Sequence, residues 1–173
     1  MVITLLGCGA AKLKRLEKCE FKYSGITDVL ISGQKLEDLK KDKNAGFMGA
    51  GILGKLLFAN EVPITFNVVV KVTNPNKKLA ALDKLEWTAL LQDNEFLNGI
   101  YNQHFEVKPG ETATLTIPIS FDLKEKLMGE NGATLKSFGM GYFLNGNVKG
   151  LTIRVRPYVG SVKFPKSFEI KPF

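Results

Sequence analysis

From Ile64 onward, apolar residues recur at every second position. Phe66, Val68, Val70 and Val72 fall on one side of the chain, and Asn67, Val69, Lys71 and Thr73 on the other. That period predicts a half-buried strand, stopped by the turn chemistry of Asn74-Pro75-Asn76. Leu85, Trp87, Ala89 and Leu91 make a second alternating face. A third strand region is predicted over Glu95 to Val107, closed by Lys108-Pro109-Gly110. Ala113, Leu115, Ile117, Ile119 and Phe121 then alternate with Thr112, Thr114, Thr116, Pro118 and Ser120, where Pro118 argues for an edge position or a bulge. Further strands are predicted over Phe21–Ile31, with Gly25 marking a bend or bulge, over Phe138–Asn147, at Leu151, Ile153 and Val155, and near Phe168–Ile170.

Two stretches follow a helical period instead. Asp122 to Met128 predicts a short helix ended near Gly129. Between Gly46 and Asn60, apolar residues fit a helix, with Gly46, Ala50 and Gly54 placing small residues on one face. Gln34 to Asn44 is polar, with Leu36 and Leu39 at helical spacing, and predicts a surface helix or a loop. Frequent turn signals between alternating segments predict a mainly β fold: an antiparallel β-sandwich with one or two short helices.

The segment Gly49–Leu56, GAGILGKL, fits G-x-G-x-x-G and G-x-x-x-x-G-K at once. A dinucleotide fingerprint needs a strand before the glycines and an acidic residue about 20 positions on. The preceding residues are Lys-rich and polar, and no acidic residue lies between Pro63 and Leu82. A phosphate-binding loop wants Ser or Thr after its Lys, and the chain has Leu56. The glycines are therefore expected to be packing points on a buried helix, and no nucleotide cofactor is expected.

The chain has 173 residues and a net charge of +7, with Arg15, Arg154 and Arg156 its only arginines. A Lys-borne surplus suits anionic surfaces, but base and phosphate recognition favours the planar fork of Arg, so no nucleic acid is expected as a partner. Cys8, Cys19 and the single His104 are too few ligands for a zinc-type site, so no metal is expected either. His104 stands alone as a surface or half-buried strand residue, no nucleophile elbow or zincin motif occurs, and no catalytic residue is assigned. Trp87 sits on an apolar strand face and is expected in the core.

At the amino terminus, the apolar run Val2–Leu6 meets Gly7 and Cys8. Leu5-Leu6-Gly7-Cys8 resembles the bacterial lipobox, in which a peptidase cuts before the Cys and a lipid is placed on its sulfur. The run is shorter than a signal-peptide core and no Lys or Arg precedes it, so this reading makes Met1 internal to a longer precursor. Cys8 is then the expected lipid attachment point. Residues 1–19 become a signal remnant and basic tether, helical or extended over 9–19, with Lys12, Lys14, Arg15 and Lys18 as membrane-surface contacts. No apolar run reaches the length of a membrane span.

Residues 20–173 are expected to form one domain, made of a strand and an apolar helix over 20–61 followed by a core from 62 onward. ITFNVVVKVTNPN (Ile64–Asn76), LDKLEWTALLQDNEFLNG and VKPGETATLTIPISF together resemble the water-stress and hypersensitive-response (WHy) domain of group 2 late-embryogenesis-abundant proteins and their bacterial relatives. Its mark is a strand ending in Asn-Pro-Asn, here Asn74, Pro75 and Asn76, followed by an aromatic strand at Trp87. A short hairpin at Leu97-Asn98-Gly99 and a Pro-Gly turn at Pro109-Gly110 come next. Gly141–Gly146 and Val162-Lys163-Phe164-Pro165 are similar to its closing strands.

The resemblance implies an immunoglobulin- or fibronectin III-like sandwich, no catalysis, and an association with stress tolerance. With Cys8 it describes a lipid-anchored protein of a bacterial envelope, periplasmic or surface-facing. Such a protein would hold an envelope partner or shield envelope components. The alternative is a carrier of a small apolar ligand or lipid, with Gly46–Phe58 as a lid over the cavity.

Overall fold

The computed structural model describes residues 7–41, 58–129, 132 and 151–171. Three expected features lie outside these residues: the apolar run Val2–Leu6, the strand Phe138–Asn147, and all but the last three positions of the helix Gly46–Asn60. The Gly49–Lys55 motif and the Gly141–Gly146 segment therefore fall there too.

The described chain is an antiparallel β-sandwich protein with short helices. In order, it runs α1 (Gly7–Leu16), β1 (Glu20–Ile31), β2 (Gln34–Lys35), α2 (Leu36–Lys41), β3 (Pro63–Thr73), β4 (Ala80–Leu82), β5 (Lys84–Leu91), β6 (Asn94–Tyr101), β7 (Phe105–Val107) and β8 (Thr112–Asp122). It continues with α3 (Leu123–Met128), β9 (Leu151–Val159), β10 (Val162–Lys163) and β11 (Phe168–Ile170). One sheet has the order β2-β1-β3-β8, a second the order β10-β9-β5-β6 with β11 also on β9, and β4 pairs β7. Three helices stand among the described residues, where one or two were expected; the additional one, α1, occupies the segment read as a tether.

The chain divides into two compact units. The first comprises residues 1–24, 69–117 and 150–173. Here β5 lies between β6 and β9, with Trp87 opposite Gly99 on one side and Val155 on the other. The expected inward set Leu85, Trp87, Ala89 and Leu91 is buried, as are Leu151, Ile153 and Val155 on β9. Leu90 is buried as well, on the other face of β5; the register shift beside it places its extra residue, Phe96, on β6, while β5 keeps unbroken pairing with β9. Val70, Val72, Leu115 and Ile117 add the buried positions of β3 and β8, and each such aliphatic side chain contributes roughly 1.5–3 kcal/mol of transfer free energy.

Two sequence expectations are corrected in this unit. Glu95–Val107 is two strands, β6 and β7, interrupted at residues 102–104. The hairpin turn lies at Gln92-Asp93 and not at Leu97-Asn98-Gly99, which sits inside β6. Gln92 and Asp93 both take positive φ, 50° and 65°. That is the requirement of a two-residue turn whose twist matches the strands, met here without the usual glycine. Gly99 has a different reason to be glycine: a Cβ there would lie 2.5 Å from Cζ2 of Trp87.

The second unit comprises residues 25–68 and 118–149. Its described core includes Ile31, Leu36, Val62, Ile64, Phe66, Ile119, Phe121 and Leu123, with the Phe66 and Phe121 rings edge-to-face at 6.4 Å. The predicted helix after β8 is present. Asp122 is its N-cap, with Oδ1 accepting from Glu125 N at 2.7 Å, and Gly129 ends it. The other oxygen of Asp122 accepts from Val62 N at 2.6 Å, and Leu123 N donates to Val62 O at 2.9 Å, so the cap also fixes the entry to β3. The irregular point expected at Gly25 is real: its φ is 139°, which L side chains rarely adopt.

Candidate functional site

The Asn-Pro-Asn turn is a buried polar knot in the first unit. Asn74 follows β3 and is 0% exposed, the one buried polar residue among those described. A buried amide must find partners for each polar atom or lose roughly 1–3 kcal/mol per orphaned group. Asn74 finds them all. Nδ2 donates to Lys78 O at 3.0 Å and to Val107 O at 2.8 Å. Oδ1 accepts from Asn76 N at 3.0 Å and from Asn76 Nδ2 at 2.7 Å. Its backbone N donates to Glu111 O at 2.9 Å, and its O accepts from Gly110 N at 2.8 Å. Gly110 takes φ 71°, so the Pro109-Gly110 turn read from the sequence presents that N–H to Asn74. The Asn74 side chain thus ties the end of β3 to β7, and its backbone ties it to the turn that leads into β8. Pro75 is exposed.

Asn76 carries the tie to the amino-terminal helix. Its Nδ2 also donates to Arg15 O at 2.9 Å, and Arg15 Nη1 donates to Leu79 O at 3.0 Å. The last carbonyls of a helix need partners beyond its ladder: Arg15 O accepts from Lys18 N at 3.1 Å and Cys19 Sγ at 3.4 Å, and Asn76 adds a donor from 61 residues away. Leu16 is fully buried and Cys19 nearly so. The segment read as a basic tether with a helical option includes a helix, α1, and that helix is docked because its carboxyl end has both an apolar anchor and hydrogen-bond partners. Cys8 lies in α1. Cys19 is a free thiol, pushed up to about 11 by burial. Of the four cations read as membrane contacts, Lys14 and Lys18 are exposed, Lys12 is half-buried, and Arg15 is committed to Leu79.

Two clusters had no local sequence signal. Asp83, between β4 and β5, accepts from Gly160 N at 2.7 Å and meets His104 Nδ1 at 2.6 Å. His104 Nε2 lies 3.4 Å from Glu106. The Gly160 N–H and then His104 hold the Asp83 carboxyl below its ordinary value, while Asp83 and then Glu106 raise His104. His104 is exposed, as a surface residue should be, but it is not alone. Its partner Asp83 is 21 residues away and Gly160 is 77 from Asp83, distances no short motif spans.

The second cluster lies on the outer face of β5, β9 and β10. Glu86 accepts from Tyr158 OH and pairs with Lys163 at 2.7 Å, while the Lys84 and Lys163 ammonium groups sit 4.5 and 5.3 Å from the Tyr158 ring centre. Lys163 and then Tyr158 lower the Glu86 carboxyl. This cluster secures β10, whose continuation forms one wall of an open groove of about 210 Å³. Val162, Phe164 and Pro165 give the wall its apolar character, and Lys14, Glu17 and Lys166 stand with Lys163 around it.

Among the described residues, no group of His, Cys, Asp or Glu could hold a metal ion. No described helix is long and apolar enough to cross a membrane. The segment invoked as a lid lies outside the described residues except for its last residue, Phe58, which is 88% exposed.

No protein-family model matches the chain, and no curated protein matches it. Among solved structures, it is similar to the crystal structure of a protein from Archaeoglobus fulgidus, with 13% sequence identity and a TM-score of 0.38. That likeness covers 87% of this chain and 89% of the other.

Proposed function

We propose that this chain is a non-enzymatic, lipid-anchored protein of a bacterial envelope, with a WHy-like sandwich that holds a partner protein or shields envelope components under stress. The observation that carries this reading is that Cys8, the end of the lipobox-like Leu5-Leu6-Gly7-Cys8, lies on α1, whose last turn is clamped by Leu16, Arg15 and Asn76. A lipid on Cys8 would then be joined to the sandwich through a helix and not through a slack linker. One acyl chain holds a protein to a membrane only weakly, so more than one chain or added basic contacts are required. The exposed Lys14 and Lys18 supply such contacts, each gaining roughly 1 kcal/mol near an anionic leaflet. The Asn74 turn fits the same reading, because the motif residues that carry the WHy resemblance form a buried structural knot and leave exposed loops and sheet surfaces for recognition.

Mass spectrometry of the protein extracted from its native membranes tests the anchor. The expected product starts at Cys8 and carries acyl mass on it, and Cys8→Ser releases the chain to the soluble fraction. An unmodified Cys8 peptide joined to Leu6-Gly7 in the membrane fraction would overturn it. Proteins cross-linked to the acylated form would identify the partner.

A further inference from the structure

We infer that the groove between α1 and the β10–β11 segment is a docking surface for an anionic phospholipid bilayer; the inference rests on the anchored reading above and names the face turned to the membrane. Chemistry and position both support it. The wall formed by Val162, Phe164 and Pro165 is apolar, and Phe164 is held by stacking on Phe168 at 5.2 Å, which itself stacks on Phe21 at 5.5 Å. The groove is therefore preformed. Its volume of about 210 Å³ is below the roughly 300–1,000 Å³ of pockets that enclose a whole ligand, which favours a surface seat for part of a lipid over a carrier cavity.

The rim is basic. Lys14 and Lys166 are exposed and neither has an acidic partner among the described residues. Lys163 is paired with Glu86 and keeps β10 in place, which leaves Glu17 as the rim's one acid. An apolar wall under free ammonium groups complements a phosphate headgroup with its glycerol and first methylenes.

Position supplies the second support. Cys8 and Lys14 are six residues apart in one α-helix, which is about 9 Å of rise. A lipid on Cys8 would keep the groove within about one Debye length, roughly 8–10 Å, of the bilayer surface, where attraction between lysines and anionic headgroups is not yet screened.

The test uses the full chain carrying Cys8→Ser, so that no acyl group contributes, sedimented with vesicles of phosphatidylcholine with or without phosphatidylglycerol. Binding is expected to the anionic vesicles alone and to weaken as salt rises. Lys14→Gln with Lys166→Gln should lower the partition coefficient roughly 30-fold, about fivefold for each lysine near the surface. Lys71→Gln with Lys108→Gln, two exposed lysines that do not line the groove, should leave it within about twofold. Equal binding to both vesicle types, no binding to either, or equal losses for the two lysine pairs would overturn the docking surface. Because this chain has no acyl group, those outcomes are independent of whether Cys8 is acylated in cells, which the mass measurement decides alone.

Discussion

Asn74 and Asp83 stand in the same unit, each just after a strand, and each uses a short polar side chain to hold backbone from distant segments. They differ in burial and in charge. Asn74 is neutral, fully buried and satisfied at every polar atom. Asp83 is ionised and paired with His104, with side chains 42% and 53% exposed respectively. Water competes for every bond that Asp83 makes, whereas the Asn74 side chain itself is shut off from solvent. The same donor–acceptor geometry is therefore worth much more in the knot than in the exposed cluster, since a buried group left without a partner loses its full desolvation energy and an exposed one recovers it from solvent.

The largest expected effect comes from Asn74→Ala. It orphans the carbonyls of Lys78 and Val107 and should lower stability by about 2–4 kcal/mol in urea unfolding. Asn74→Asp sharpens the point. It keeps the acceptor and loses the donor, and it sets a carboxylate against two carbonyls, so at neutral pH it should be no more stable than the Ala variant. A stable Asn74→Asp protein would show that the knot does not depend on donation from Nδ2.

Gly99→Ala tests whether shape alone can match the polar knot. Its methyl meets the Trp87 ring at 2.5 Å, and overpacking of this kind costs about 1–3 kcal/mol. An unchanged urea midpoint would mean that Trp87 has room to swing away. Asn76→Ala should come next, at about 1 kcal/mol, because it removes one donor to Arg15 O and one of the two donors to Asn74 Oδ1, which keeps the Asn76 backbone N–H. Its clearer readout is hydrogen exchange. The α1 amides should exchange faster in the variant while those of β5 and β9 do not change.

Smallest of all should be Asp83→Asn or His104→Ala, within about 0.5 kcal/mol. Here pH is the better probe. His104 is raised above its ordinary 6.5, so its contribution is fully present below that value and is lost as pH rises through the raised one. Asp83 is lowered, so its contribution is present above its ordinary 3.8 and is lost as pH falls through the lowered value. NMR titration should place the His104 midpoint above 6.5, and Asp83→Asn should bring it back toward 6.5. A midpoint unmoved by Asp83→Asn would remove the pair from the account.

Local patterns were legible because they need no distant information. The period of two named the buried faces of β3, β5, β8 and β9, since successive strand residues point to opposite sides. Asp122–Met128 read as a short helix ended near Gly129, and α3 occupies it from Leu123 on, with Asp122 as its cap. Pro118 fits the end position that β8 holds in the described order β2-β1-β3-β8. The Gln92-Asp93 turn was missed because its positive φ values sit on residues without the glycine signature, and β4 because three apolar residues carry no measurable period.

By itself, then, the sequence determined a mainly β chain, the inward faces of its longer strands, and an Asn-Pro-Asn turn after β3, because periodicity and turn chemistry act over a few residues. Tertiary structure alone decided that Asn74 is a buried knot, that α1 is docked through Arg15 and Asn76, that His104 meets Asp83, and that Lys14 and Lys166 border one groove. Those pairings join segments separated by 21 to 61 residues or more. What a polar side chain is worth depends on its burial and its partners, and both are set only when distant strands have come together.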